Sequence, residues 1–344
     1  MKVLVFDTKP YDKLYFDREN LKYGFEIKYM DLKLSADTAP LAAGYDVVCA
    51  FVNDTIDAKA IETLHKLGVK GIAMRCAGYN NVDMKAAFGL MPIVRVPRYS
   101  PYAIAEHAMA MLLTLNRKIH KAYNRTREGN FSLSGLLGFD LHGKTAGIIG
   151  TGQIGRCFID ICKGFGMNIL GYDLYPAKNA GINYVSLEEI FRNADIISLH
   201  CPLTAETHHL IDTAAVAQMK EGVVLINTSR GALIDTTALI DGLRDKHIGA
   251  AGLDVYEEES EIFFEDYSHT IIQDDQLARL LSFNNVIITS HQGFFTHEAI
   301  EKIAEVTFQN IRALENHAFL ENEICYQCGI DKSICPKSSG KNCF

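Results

Sequence analysis

The 344-residue sequence has no apolar run that approaches membrane-spanning length; the longest candidate, Ala108 to Leu115, falls far short. It has no block of Lys and Arg, and its net charge is −8, so neither nucleic acid nor an anionic membrane is an expected partner. It has no internal repeat and no low-complexity stretch. The opening Met1-Lys2-Val3-Leu4-Val5-Phe6-Asp7 is charged too early for a secretory signal, so a cytoplasmic location is expected. A complete metal-ligand pattern is also missing. Cys49, Cys76, Cys157, Cys162 and Cys201 are scattered through apolar or glycine-rich segments and read as buried free thiols. Cys325 and Cys328 form a single CxxC, which Cys335 and Cys343 do not pair with a second. Pro336, Ser338, Ser339, Gly340 and Lys341 favour a solvated tail over a metal site or a thiol–disulfide element. No metal site is assigned.

What remains is an ordinary soluble composition, 48% hydrophobic and 22% charged, in a chain long enough for two domains. Its most specific feature is Gly150-Thr151-Gly152-Gln153-Ile154-Gly155. An apolar strand-like run, Thr145 to Ile149, precedes it, and a helical pattern from Arg156 to Phe165 follows. A second strand-like run, Met167 to Tyr172, ends at Asp173. Strand, glycine turn, helix and acid in this order are the dinucleotide fingerprint: a tight turn, backbone approach to a pyrophosphate, close helix packing and a ribose acceptor.

Short apolar runs alternate with helical patterns on both sides of that loop. Val3–Asp7, Phe25–Met30, Asp46–Val52, Gly71–Arg75 and Ile93–Val96 read as parallel strands, with helices at Ala58–Leu67 and Val82–Phe88. One long helical pattern runs from Pro101 to about Thr126, followed by a turn-rich stretch from Glu128 to Gly143. Asp195–His200, Gly222–Asn227, Ala250–Val255 and Asn285–Ser290 continue the strand series. Glu257–Leu281 reads as an irregular loop with one helical turn, and Glu298–Leu314 as an amphipathic helix that returns to the first unit. The pattern predicts two α/β units, the first completed by both ends of the chain.

Reactive residues in such sheets lie at the carboxyl ends of strands. Val223 to Ser229 leads into Arg230, suited to a two-pronged grip on a carboxylate, or else to a structural ion pair. Val286 to Ser290 leads into His291, a candidate general acid/base or a satisfied structural histidine. Ala251 to Leu253 leads into Asp254, with Glu259 five residues on; Glu259 is either the carboxylate that raises the imidazole pKa or a solvated acid.

The set Arg75-Cys76-Ala77-Gly78-Tyr79-Asn80-Asn81-Val82-Asp83, the glycine loop, His200-Cys201-Pro202-Leu203-Thr204, Asn227-Thr228-Ser229-Arg230-Gly231, Gly252-Leu253-Asp254-Val255-Tyr256-Glu257 and Ser290-His291-Gln292 resembles the D-2-hydroxyacid dehydrogenases. Within them it is most similar to the bacterial fermentative D-lactate dehydrogenases, from Met1 to about Glu323. The resemblance implies an α/β fold of two doubly wound parallel-sheet domains with an interdomain cleft. Residues 1–100 plus 296–330 would form a flavodoxin-like substrate domain and 101–295 a Rossmann NAD-binding domain, leaving 331–344 as a cysteine-containing tail.

The resemblance further implies that Arg230 binds the substrate carboxylate and carbonyl, that His291 is the acid/base, and that Glu259 is its partner. Backbone N–H groups at Ala77 and Gly78 would hold the carboxylate, Tyr99 would border the substrate, and Phe51 and Phe294 would surround its C3 group. The cofactor would be NAD, held by Gly150, Gly152, Gln153, Ile154, Gly155, Asp173, Cys201, Pro202, Thr207 and Thr228, with Asp254 near the nicotinamide. Asp173 repels a 2′-phosphate, and Leu174 and Tyr175 supply no cation to offset it, which favours NAD over NADP. The expected reaction is reversible reduction of pyruvate to D-lactate, in a homodimer or homotetramer. A larger 2-oxo acid of the 2-hydroxyisocaproate or phenyllactate type is the alternative, and a non-catalytic NAD-sensing binding protein is a second.

Overall fold

The computed structural model describes residues 1–177, 181–258, 262–327 and 341–343. The chain begins with β1 (Lys2–Val5), α1 (Pro10–Asn20), β2 (Glu26–Tyr29), β3 (Val47–Ala50), α2 (Ala58–Lys66), β4 (Ile72–Met74), α3 (Met84–Ala87) and β5 (Ile93–Val94). It continues through α4 (Pro101–Arg117), α5 (Ile119–Arg127), β6 (Thr145–Ile149), α6 (Gln153–Gly164), β7 (Asn168–Tyr172), α7 (Leu187–Asn193) and β8 (Ile196–Leu199). Next come α8 (Thr213–Gln218), β9 (Val223–Asn227), α9 (Thr236–Arg244), β10 (Ile248–Leu253), α10 (Asp275–Ser282) and β11 (Val286–Ile288). The last elements are α11 (His297–Glu315) and β12 (Glu323–Ile324). Two compact units result, Met1–Ser100 with Thr296–Phe344, and Pro101–Phe295.

The first unit is a six-stranded sheet in the order β12-β5-β4-β3-β1-β2. Its first five strands run parallel, as the pattern predicts, and β12, which the pattern does not announce, joins the β5 edge antiparallel. A two-residue strand reached directly from the end of α11 needs no crossover, so it can enter from the opposite direction. Phe16 of α1 and Ala304, Phe308, Ile311 and Leu314 of α11 cover one sheet face. Helix α1 has little apolar periodicity, which is why the sequence pattern does not announce it; Phe16 is the one large apolar side chain it buries.

The second unit is a six-stranded parallel sheet in the order β11-β10-β9-β8-β6-β7. Every adjacent pair is parallel. Helices α4 and α6 pack on one face through Ala108, Met111, Leu112, Leu115, Phe158 and Cys162. Helices α7 to α10 cover the other through residues such as Phe191, Val216, Leu239 and Leu280. The order reverses between β6 and β8, the position where open α/β sheets bind ligands.

Three segments depart from the sequence pattern. The single helix expected from Pro101 to Thr126 is two, broken at Lys118 in the left-handed region (φ 52°). The break is tertiary: Asn116 Nδ2 donates to Phe139 O (2.7 Å) and Phe139 N–H to Asn116 Oδ1 (2.8 Å), so the returning arm captures the end of α4. The segment expected to carry one helical turn runs into α10, two turns long and capped by Asp274, whose Oδ1 accepts the Leu277 N–H at 2.9 Å. The described end of the tail is not free: Asn342 accepts the Leu320 N–H (2.7 Å) and donates to Ala318 O (3.0 Å), and Cys343 N–H donates to Glu323 (2.8 Å). Cys328 and Cys335 lie outside the described residues. Among the described cysteines, Cys49, Cys76, Cys162, Cys201 and Cys325 are buried, and Cys157 and Cys343 are half-buried.

At the carboxyl ends of β1, β3 and β4 the first unit buries Asp7, Asp12, Asp54 and Arg75. Arg75 Nη2 donates to Asp7 O (2.6 Å) and lies 3.4 Å from Asp12 Oδ2. Asp54 accepts the N–H groups of Leu34 (2.6 Å) and Phe51 (2.5 Å). Burial nevertheless pushes its carboxyl up to about 6, against the opposing effects of Arg75 and the two backbone donors. Because the folded value lies above the unfolded one, the folded state binds the extra proton between them. The stabilisation is full below an unfolded value of about 3.9 and is lost as pH rises through the folded value. Asp54→Asn cannot titrate, so its denaturant-unfolding stability is expected to vary less between pH 4 and 7 than wild type, by on the order of 1–3 kcal/mol. An unchanged pH dependence would remove Asp54 as its source.

Candidate functional site

The glycine loop follows β6, whose last four residues are fully buried. Gly150 stands at φ 93°, and a Cβ there would meet Cys201 N and His200 C at 2.5 Å, where the chain leaving β8 crosses the loop. A Cβ on Gly155 would lie 2.1 Å from Gly150 O, so only glycine lets α6 start this close to the strand end. At Gly152 nothing lies within 4 Å, which leaves open space where a side chain would stand. Gly152 is the N-cap of α6 and supplies no side-chain acceptor, so the first amides of this 12-residue helix, at Gln153 and Ile154, keep their capacity for an anion.

Asp173 ends the neighbouring strand. Its Oδ2 accepts Thr151 N–H (2.7 Å) and Thr151 Oγ1–H (3.1 Å), and its Oδ1 accepts Tyr175 N–H (2.9 Å). Oδ1 keeps a further lone pair for a ribose hydroxyl. Leu174 and Tyr175 are exposed beside it. At the end of β8, burial pushes the His200 imidazole down to about 4 and the Cys201 thiol up to about 11, so both are neutral near pH 7. Pro202 O accepts the Thr207 hydroxyl (2.7 Å), whose oxygen accepts Thr204 N–H (2.8 Å), so Thr207 braces its own turn. Thr228 Oγ1, at the end of β9, is buried with no hydrogen-bond partner among the described residues. Open space at Gly152, unclaimed helix amides and an orphaned hydroxyl two strands away fit a dinucleotide laid across the strand ends.

Arg230 follows on a turn pinned from both sides. Asn227 Nδ2 donates to Arg230 O (2.8 Å), Ser229 N–H donates to Asn227 Oδ1 (3.0 Å), and Ser229 Oγ donates to Cys201 O (2.6 Å). A Cβ on Gly231 would lie 2.0 Å from Tyr256 C, so this turn sits directly on the chain leaving β10. Arg230 Nη1 donates to Ser229 O (2.6 Å), and no described carboxylate pairs with the guanidinium.

Asp254, expected near the nicotinamide, is 1% exposed, and its carboxylate is engaged by the turn that carries His291. Burial alone would raise its pKa, but hydrogen bonds from His107, Thr289 and Gly293 outweigh it and hold the carboxyl below its ordinary value. His291 is half-buried, in the left-handed region (φ 51°), with its ring 6.1 Å from that of Phe264. Phe294 is buried edge-on to Phe295. Glu259 lies outside the described residues.

In the first unit, Arg95 Nη1 donates to Ala77 O (2.7 Å), and Cys76 Sγ donates to Gly78 O (3.2 Å), which fixes the Ala77–Gly78 turn through its carbonyls. Phe51 is buried, with the Arg75 guanidinium 4.7 Å from its ring centre. Tyr99 is half-buried. The sequence reading did not single out His107, Thr289 or the pair His209–Glu257. His209 Nε2 lies 2.5 Å from Glu257 Oε1, and Thr236 Oγ1 donates to the other oxygen (2.8 Å). With His208 these offer ligand atoms within 4.8 Å of one another, but the contacts already present account for them as a brace on the chain after β10. Only the glycine beside Arg230 hinted at such crowding.

A cradle of this kind defines a dinucleotide-binding protein of the α/β class. Residues 109–293 match the family model of the D-isomer specific 2-hydroxyacid dehydrogenase NAD-binding domain. The chain is 52% identical over 328 residues to the D-lactate dehydrogenase of Escherichia coli (strain K12), covering 94% of this chain and all of that one. Among solved structures it is similar to the apo form of D-lactate dehydrogenase from Escherichia coli, with TM-score 0.86 and 49% identity over 94% of this chain and all of that one. It is also similar to the pyruvate reductase of Chlamydomonas reinhardtii, with TM-score 0.88 and 43% identity over 94% and 98% of the two chains. The chain belongs to the D-isomer specific 2-hydroxyacid dehydrogenase family, and its cofactor is NAD.

Gly155→Ala is expected to weaken NADH binding at least about tenfold by fluorescence titration, because the helix must move off the loop to admit the methyl. Native affinity in the variant would show that the 150–155 contact does not shape the cradle.

Proposed function

We propose that this enzyme is a D-lactate dehydrogenase that reduces pyruvate reversibly with NADH. The observation that carries the reading is the 52% identity to a D-lactate dehydrogenase over that enzyme's whole length. The similarity to a pyruvate reductase supports the same substrate.

In this reading Arg230 grips the substrate carboxylate and the carbonyl oxygen. Its backbone is fixed by Asn227 and Gly231, and its guanidinium keeps N–H donors beyond the one given to Ser229. Bound NADH supplies the hydride. Protonated His291 gives its proton to the carbonyl oxygen as that oxygen becomes a hydroxyl, and takes the proton back in the reverse direction. Glu259 holds the imidazole in its protonated form. The Ala77–Gly78 turn donates to the carboxylate, with its carbonyls held by Arg95 and Cys76 so that its N–H groups are free to point the other way. Tyr99 borders the substrate, while Phe51 and Phe294 give the C3 group an apolar surround. Gly150, Gly152, Gln153, Ile154 and Gly155 hold the pyrophosphate and Asp173 the ribose. Cys201, Pro202, Thr207 and Thr228 line the nucleotide, and Asp254 acts on the nicotinamide end through the turn it holds.

The assembly proposed is a homodimer or homotetramer packed through the nucleotide-binding unit. Phe131 (77% exposed), Leu133 (82%) and Leu137 (87%) stand on the arm between α5 and β6, with exposed Ile119 and Tyr123 on α5. A second copy covering that arm accounts for so much apolar surface. The proposed location is the cytoplasm; among the described residues no helix is long and apolar enough to cross a membrane.

His291→Ala is expected to lower kcat by roughly 10²–10⁴-fold with NADH affinity intact. Near-normal turnover would sink the acid/base role. Arg230→Lys should raise the pyruvate KM and lower kcat, because a point charge cannot make two parallel bonds; unchanged steady-state constants would refute the clamp. In a panel of 2-oxo acids, pyruvate should show the highest kcat/KM. Preference for 2-oxoisocaproate or phenylpyruvate would select the larger-substrate alternative, and no NADH oxidation with any of them would select the NAD-sensing one.

A further inference from the structure

The carboxylate of Asp254 gathers four donors. Thr289 Oγ1 (2.5 Å) and Gln292 N–H (2.9 Å) reach Oδ1, Gly293 N–H (2.8 Å) reaches Oδ2, and His107 Nε2 lies 3.2 Å from Oδ1. The backbone carbonyl of Asp254 also accepts the His291 N–H at 2.7 Å. One side chain and its own carbonyl therefore tie down residues on both sides of His291. The left-handed backbone at His291 is strained and persists because these bonds over-determine it.

His107 is the one member of this group that comes from outside the two strand ends; it projects from α4. Its Nε2 lies 3.1 Å from Thr289 Oγ1 as well as 3.2 Å from Asp254. The protonation of that nitrogen follows from counting donors. The Thr289 hydroxyl has one hydrogen, and the carboxylate at 2.5 Å takes it in preference to the Met111 sulfur at 4.0 Å. Thr289 then offers only lone pairs to His107, and Asp254 offers only lone pairs. Nε2 therefore carries a hydrogen, shared between the two oxygens.

We propose that His107 is a positioning residue for the acid/base histidine: its Nε2–H locks Thr289 and Asp254 together and so sets the turn from which His291 works. The proposal rests on the reading of His291 as the acid/base. Losing this donor leaves Thr289 held only by its bond to Asp254 and lets the turn shift. Displacements of about 1 Å at a reacting group cost on the order of 10²-fold in rate.

The test compares full-length His107→Phe, which fills the volume without a donor, with His107→Gln, whose side-chain amide places an N–H at similar reach. Pyruvate kcat and KM, NADH affinity by fluorescence and thermal midpoint are measured for each. The expected result is a kcat loss of about 10- to 100-fold in His107→Phe with NADH affinity within about twofold. Recovery of most of that loss is expected in His107→Gln, whatever the two thermal midpoints. Thr289→Val should lower kcat similarly, and the double variant with His107→Phe should lose little more than either single one. Unchanged kcat in His107→Phe, or equal losses in the Phe and Gln variants, would overturn the proposal. His291→Ala separates the two readings: if it keeps its turnover, the acid/base assignment fails and the proposal with it. If His291→Ala is inactive and His107→Phe is normal, only the positioning role fails.

Discussion

The second unit depends on backbone meeting backbone where no side chain fits. The start of α6 lies against the carbonyl of Gly150, and the Arg230 turn lies against the chain leaving β10; a Cβ at Gly155 or Gly231 would come within about 2 Å of those atoms. These contacts do more than save space. At the first, the helix amides are brought up to the strand end where an anion can reach them. At the second, the arginine turn becomes continuous with the segment that runs from Asp254 towards Glu259. Both are rigid because backbone contacts have no rotamers to adjust, which is what a site held to sub-ångström tolerance requires.

Both units then use a buried aspartate to tie their strand ends together. Asp54 accepts two amides in the first, and Asp254 accepts two amides and a hydroxyl in the second. The electrostatic outcome differs. Asp54 shares its site with two further buried carboxylates, Asp7 and Asp12, and burial pushes its carboxyl up. Asp254 faces donors on every side, and its carboxyl is held down. The device that must stay charged, in the unit that binds the dinucleotide, is the one surrounded by hydrogen-bond donors rather than by other acids.

Much of this was legible in the linear order of residues. The glycine spacing with its flanking runs located the nucleotide cradle, because the turn, the close helix and the acid are each dictated by local geometry. Arg230 and His291 end apolar runs, where an ion pair or a satisfied histidine was the other reading, and the motif resemblance is what favoured the chemical one. What stayed hidden is tertiary. Helix α4 ends at Lys118 because a segment some twenty residues on clamps Asn116. The commitment of the Asp254 carboxylate to the turn it faces is equally tertiary. His107 sits in a helix whose periodicity explains every neighbour, and nothing in the spacing shows that it reaches Thr289.

Substrate choice draws on the same interior charges. Phe51, proposed to face the C3 group, covers Arg75, whose guanidinium is no receptor for a second substrate carboxylate. Its charge is already committed. Arg75 is 1% exposed, it donates to Asp7 O, and it shares its surroundings with Asp7, Asp12 and Asp54. The other cation at this cluster, Lys9, lies 3.0 Å from Asp7. Two cations against three carboxylates leave no positive excess to attract another anion, and the ring of Phe51 offers only an apolar face. A methyl group suits that surface, whereas a dicarboxylic 2-oxo acid would bring its second charge to an apolar ring over an acid-rich interior whose two cations, Arg75 and Lys9, are already committed.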